Sequence, residues 1–402
     1  MKRFTKPLMA LLTAAVVMTS TAATTALTAN ESVAANPTGT YISELTGLPI
    51  SQALKNQRPV AIMVDNEKTA LPHYGVSQAD IVYELMNSTK NGRITRLMCI
   101  VKDWANLKQF GSIRSTRSTN VMLAAEYNAI LVHDGGPFYI NTYLNQPYSN
   151  NLSAGFARFS NGKRTEFTEY VTSASYTNTS KGRTYAGLVQ RVAAARYTTT
   201  YNEYYPGAHF IFAPTEYSLA AHPAAVTATA VDLPYPHNCT KLRYNALTGT
   251  YDYYEYGSAT PNTDALNGAT ITFENVILQD CTYTLLDTNG YLIYNCIAVG
   301  QPGLYLTNGK AIPIIWSKTS ENGPTIYYDA TTGEVLTLNP GKTYITLVPS
   351  DVWLQTVVRK RFRADRFGFV LINIKKTPAE EIFFCRRFSS SNKRCVRRSA
   401  TP

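Results

Sequence analysis

From residue 58 onward, short apolar blocks alternate with polar turns. RPVAIMVDN (58–66) reads as a strand ending on Asp65 and Asn66. SQADIVYELM (77–86) opens with a serine suited to a helix cap, and its apolar residues fit helical or strand spacing. RITRLMCIVKD (93–103) alternates like a strand. SIRSTRSTNVMLAAEYN (112–128) begins with hydroxyl residues and predicts a helix. AILVHDG (129–135) predicts a strand and FYINTYLNQ (138–146) a further helix. Strands alternating with helices point to a mixed α/β first half.

Residues 147–205 are polar apart from a helical piece at YAGLVQRVAAARY. A Pro- and Ala-rich stretch at 212–238 reads as a linker. From about residue 240 the chain is rich in Thr, Tyr, Val and Ile, with turns at DTNG, TNGK and NPGK. The expected class is α+β, a mixed α/β N-terminal domain followed by a mostly β C-terminal domain. The expected divisions are a signal peptide and lead-in (1–35), an α/β-type domain (36–211), the linker (212–238), a β-rich domain (239–351) and a disordered basic tail (352–402).

Charge changes this picture at the two ends. The opening segment carries Lys2, Arg3 and Lys6 and then no charge until Glu31. A basic start, an apolar stretch and a small-residue tail predict a secretory signal, with cleavage after Ala22, Ala26 or Ala34, an uncleaved anchor being the alternative. The formal net charge is +11, but residues 352–402 hold 13 Lys/Arg against 3 Asp/Glu. Residues 31–351 hold 22 basic against 24 acidic residues, so no nucleic-acid partner is expected. Membrane contact is expected only through the leader or the basic tail.

Three groups of chemically capable residues fall at expected strand ends, where open α/β sheets bind ligands. Asp65 and Asn66 end one strand, and His133, Asp134, Gly135 and Gly136 end another. Between them Arg114 and Arg117 stand at the expected start of a helix, where guanidinium groups and free N–H groups favour an anion. Candidate catalytic residues are His133 as general base, assisted by Asp65 or Glu84. The bland alternative is that these groups pair internally, Arg114 and Arg117 with Glu84 and Asp80. No G-x-S-x-G elbow, P-loop, H-E-x-x-H or dinucleotide glycine fingerprint occurs, and no metal or cofactor is expected.

Of the six cysteines, none forms a C-x-x-C pair. Cys281 and Cys296 flank a hairpin expected to turn at Asp287-Thr288-Asn289-Gly290. A four-residue turn there sets them opposite each other, making them a disulfide candidate; a two-residue Asn-Gly turn would pair Cys281 with Ala298 instead.

The segments TGLP, RPVAIMVDN, GVSQADIVYE, GRITRLM, GSIRSTRS and AILVHDGGP, with IIWSKTSENGPTIYYDATTGEVLTLNPGKTYITLVP later, resemble in order the YerB-like family of exported bacterial lipoproteins. The resemblance covers roughly residues 40–350. It implies a two-part domain of unknown function at the cell surface of Gram-positive bacteria. The leader lacks the lipid-accepting cysteine of a lipoprotein, so an extracytoplasmic but unlipidated protein is expected. The leading expectation is a binding or accessory protein whose cleft takes an anionic cell-wall component or an envelope protein. The alternatives are a hydrolase or transferase acting on wall glycan or peptide, and a structural assembly factor.

Overall fold

The structure, a computed structural model, describes residues 39–359. The expected signal peptide, and the tail from residue 360, lie outside the described residues. Strands hold 37% of the described residues and helices 13%, so sheets carry the fold. The main sheet has eleven strands. In order across it lie Val226–Thr227, Lys310–Lys318, Ala298–Thr307, Asn275–Cys281, Thr343–Pro349, Ile81–Met86, Thr95–Val101, Val60–Asp65, Ile130–His133 and Asn150–Ser153. Ile326–Asp329 pairs beside Lys310–Lys318.

Residues from both halves of the chain meet in the middle of this sheet. Thr343–Pro349 runs parallel to Ile81–Met86, with Thr343 opposite Ile81 and Leu347 opposite Leu85. Every residue of Val60–Asp65, Ile81–Met86, Thr95–Val101, Asn275–Cys281 and Thr343–Pro349 is buried. Burial on both faces explains why these segments read as near-continuous apolar runs. It also resolves the SQADIVYELM segment. Ser77 belongs to a short 3-10 turn, Val76–Gln78, and IVYELM is a strand with neighbours on both sides.

The helices are fewer and shorter than expected. In the 112–128 segment only Ser118–Ala125 is helical. The residues before it run extended, because neighbouring backbone takes up their hydrogen bonds: Arg114 N donates to Met63 O (3.1 Å) and Thr116 N to Gly135 O (3.1 Å). The 138–146 helix shrinks to a 3-10 turn, Phe138–Ile140, and one α-turn, Asn141–Leu144. The helix expected near 185–197 is present as Leu188–Ala194.

A second sheet of five strands runs in the order Thr272–Phe273, Thr250–Tyr254, Lys241–Asn245, Ala230–Asp232 and Val357–Arg359. The 212–238 stretch, expected as a linker, is built into the fold, with Ala228, Val231, Leu233 and Tyr235 buried. Residues 353–359, placed by composition in the tail, form a 3-10 turn and the strand that pairs with Ala230–Asp232.

Val60–Asp65, Ile81–Met86, Ile130–His133, Asn150–Ser153, Asn275–Cys281 and Thr343–Pro349 all run in one direction. Their carboxyl ends therefore share one edge, the place where open sheets leave a crevice for ligands. A hairpin, Tyr283–Leu285 with Leu292–Tyr294, leans on this edge. Met86 N donates to Tyr294 OH (3.3 Å), Tyr294 N to Thr119 Oγ1 (2.9 Å) and Thr89 N to Gly290 O (3.0 Å).

Candidate functional site

The residues singled out from sequence divide into three groups. The first gathers around Asp65. Strand register sets Asp65 opposite Arg96, and the extended 112–117 segment lays Arg114 across the same strand end. Arg114 Nε lies 2.8 Å from Asp65 Oδ2, and its terminal amino group lies 2.8 Å from Glu166 Oε2. Arg96 donates to Asn87 Oδ1 (3.0 Å) and to the Ser115 carbonyl (2.9 Å), and stands 4.0 Å from Asp65.

Arg117, the residue just before the Ser118–Ala125 helix, completes this group. Its guanidinium donates to two carbonyls, Asn87 O (3.2 Å) and Thr116 O (2.8 Å), and lies 4.8 Å from the centre of the Tyr291 ring. It has no ion pair with a carboxylate among the described residues. Burial, and then the neighbouring Arg96 charge, pull the Arg117 guanidinium down to about 9. Glu166 is shared with Arg164 at 2.6 Å, so four guanidinium groups face two carboxylates. The Arg114 side chain is 30% exposed and Glu166 33%, so solvent reaches the group from their side.

The second group holds His133 and Asp134. His133 Nδ1 lies 2.9 Å from the Gly135 carbonyl, and Nε2 lies 3.3 Å from Asn151 Oδ1. Burial lowers its pKa, which favours the neutral ring. Asp134 shares Arg158 with the buried Glu169, at 3.5 and 2.8 Å. Burial, and then the hydrogen bond with Asp134, push the Glu169 carboxyl up to about 7. The paired glycines have distinct tasks. Gly135 turns the chain at φ +77°, while a Cβ on Gly136 would sit 2.4 Å from Ile140 Cδ1 and 3.1 Å from the Thr116 carbonyl.

Asn66 and Glu84 belong to a third, fully buried group facing the second sheet. Glu84 accepts from Thr95 Oγ1 (2.6 Å), Thr240 Oγ1 (2.7 Å), Tyr253 OH (3.0 Å) and Tyr344 OH (2.6 Å). Asn66 Nδ2 donates to Thr95 Oγ1 at 2.9 Å. Glu84 thus pairs with neither Arg114 nor Arg117, and Asp80 instead accepts from Lys102 N at 2.7 Å. Sequence reasoning missed Arg96, Asn87, Tyr291 and Glu166. Arg96 left a signal, a cation inside an otherwise apolar strand, TRLMCIV. Tyr291 left none, because a hairpin tyrosine is ordinary.

Among the described residues no group of three or more His, Cys, Asp or Glu side chains is arranged to hold a metal ion. No helix there is long and apolar enough to cross a membrane. The first group brings several guanidinium N–H donors together at the strand ends.

Comparison with known proteins gives relationship rather than activity. The chain is 26% identical over 307 residues to "Putative lipoprotein YerB" of Bacillus subtilis (strain 168), covering 76% of this chain and 85% of that protein. The crystal structure of Bacillus subtilis YerB superposes with a TM-score of 0.62 at 22% identity, covering 77% of this chain and 98% of that one, a likeness of fold. Residues 45–187 match the N-terminal domain, and residues 231–345 the C-terminal domain, of the family described as "Protein of unknown function (DUF3048)". The chain belongs to this two-part, YerB-like family.

Proposed function

We propose that this chain is an extracytoplasmic binding protein whose arginine group takes an anionic part of a cell-wall component. The observation that carries the reading is Arg117. A largely buried guanidinium beside two others, with carbonyls and an aromatic face for partners, is electrostatically costly unless negative charge balances it. Arg96, Arg114 and Arg117 offer the donors that a phosphate or a peptide carboxylate accepts in pairs. The placement outside the cytoplasm rests on the basic-then-apolar leader and on the lipoprotein name of the Bacillus relative.

The hydrolase or transferase reading has less support. Both ring nitrogens of His133 are engaged, and Glu84 is sealed within the protein. The assembly-factor reading draws support from the second group, where Arg158 is shared between Asp134 and Glu169.

Titration of the full chain with inorganic phosphate, with a peptide bearing a free terminal carboxylate, and with the same peptide amidated tests the reading. Arg117→Gln is expected to weaken binding of the two anions about 10–100-fold, the worth of a charge-assisted hydrogen bond, with the amidated peptide inert throughout. Should Arg117→Gln fail to fold, Arg114→Gln, at a partly exposed side chain, carries the same expectation. Undiminished anion binding in a folded variant overturns the assignment, and so does an absence of binding to either anion by the wild type.

A further inference from the structure

We propose that Cys281 and Cys296 close a cross-strand disulfide at the root of the hairpin that leans on the arginine group. Strand register carries the pairing, independently of any anion at the arginines. The hairpin pairs Tyr283 with Tyr294, Thr284 with Ile293 and Leu285 with Leu292. Leu286 N donates to Tyr291 O (2.7 Å) and Asn295 N to Thr282 O (2.9 Å), so the same register extends through 286/291 and 282/295. One step further along lie residues 281 and 296.

In an antiparallel ladder, hydrogen-bonded and non-hydrogen-bonded pairs alternate. With 286/291 and 282/295 hydrogen-bonded, 281/296 falls on a non-hydrogen-bonded position. Pairs at such positions typically hold their Cα atoms about 4.5 Å apart, inside the roughly 4.4–6.8 Å span of a disulfide. Face agrees with register. Thr282 and Asn295 are exposed and join side chains at 3.0 Å on the outer face. Cys281 and Cys296 are each 2% exposed on the inner face, with Tyr283 and Tyr294, whose ring centres are 6.2 Å apart.

The other described cysteines lack such a partner. Cys99 sits mid-sheet between Ile62 and Val82, and Cys239 is exposed beside the Pro236 carbonyl.

Cys281 and Cys296 are thiols in this structure. Burial holds both well away from the thiolate form, Cys296 at about 12. Closure therefore belongs to the folding chain rather than to the finished one. One thiolate attacks a small disulfide such as oxidised glutathione, releasing one thiol and leaving a mixed disulfide. The second attacks the protein sulfur of that intermediate, forming the Cys281–Cys296 bond and releasing the second thiol. The two cysteine protons pass to the two released thiolates, and the electron pair reduces the glutathione disulfide.

The full chain is unfolded under reducing conditions, refolded with oxidised glutathione, denatured with N-ethylmaleimide and digested for mass spectrometry. The expected product is a linked pair of peptides holding residues 281 and 296, with Cys99 and Cys239 alkylated. Refolded protein in which 281 and 296 are both alkylated, or joined elsewhere, overturns the proposal. A second measurement uses melting. Reduction is expected to lower the wild-type Tm by about 3–6 °C, as opening a short loop does in a protein of this size. Cys281→Ala/Cys296→Ala is expected to melt at the same temperature with or without reductant. An equal fall in both proteins also overturns it.

Discussion

Glu84 and Glu126 are equally buried, yet they are held in opposite ways. Glu126, at the end of the Ser118–Ala125 helix, faces Lys318 Nζ at 2.9 Å, and neither side chain is exposed. Tyr83 OH and Thr325 Oγ1 donate to it at 2.8 Å, and Lys318 also donates to the Gly323 carbonyl. Burial pushes the Glu126 carboxyl up, but the Lys318 charge and the hydrogen bonds bring it below its ordinary value. Glu84 has four hydroxyl donors and no cation paired with it among the described residues. Burial raises its pKa, and the hydroxyls pull it back only in part. Glu255 lies close by, fully buried and hydrogen-bonded to Asn262 and Asn238. Burial, and then the Glu84 charge, push it up to about 8. Both clusters join the two halves of the chain. One uses an ion pair, whereas in the other burial, without a paired cation, favours the protonated acids.

The largest expected effect comes from breaking the ion pair. Lys318→Met leaves the Glu126 carboxylate buried without its cation, and destabilisation of about 3–5 kcal/mol is expected in urea unfolding. A loss below about 1 kcal/mol would mean that Glu126 also holds a proton, erasing the contrast.

A pH series sharpens it next. The folded pKa of Glu255 lies above its ordinary 4.5, so its contribution is full below pH 4.5 and is lost as pH rises toward about 8. The slope is at most about 1.4 kcal/mol per pH unit. The folded pKa of Glu126 lies below 4.5, so its contribution is present above that pH and is lost as pH falls through the folded value. Chemical unfolding between pH 5 and 8 should show declining stability, and Glu255→Gln should flatten the decline. An unchanged slope in that variant assigns the titration elsewhere.

The smallest effect is expected from Glu84→Gln, an isostere of the protonated acid. At neutral pH the melting curve should correspond to a loss within about 1 kcal/mol. A loss of several kcal/mol would show Glu84 to be ionised and the two clusters to be alike.

The legible parts of the fold were those set by local pattern. Val60–Asp65, Thr95–Val101 and Ile130–His133 were readable because their apolar runs end at polar turns. The hairpin was readable because Asp287 to Gly290 mark the turn, but two registers stayed open, of which the structure takes the four-residue turn. IVYELM was ambiguous because its partner, TYITLVP, arrives some 260 residues later, and no periodicity encodes so distant a pairing. The 112–117 stretch reads as a helix start by its hydroxyls, yet hydrogen bonds to the backbone of neighbouring segments hold it extended. Asp65 and Arg114 meet, with Arg117 near Arg114 and Arg96, whereas His133 and Asp134 of the expected site form a group of their own. Asn66 and Glu84 leave that group because a strand's alternation sends neighbouring side chains to different surroundings.

The parallel pairing of Ile81–Met86 with Thr343–Pro349 has a consequence for how the chain is made. Until residue 349 is available, an apolar strand lacks its neighbour and exposes a bare edge, a template for pairing with other chains. High contact order of this kind slows folding, because a long loop must close before the contact contributes. Truncation between the two family regions would make that transient edge permanent, so the N-terminal region produced alone would tend to self-associate through it.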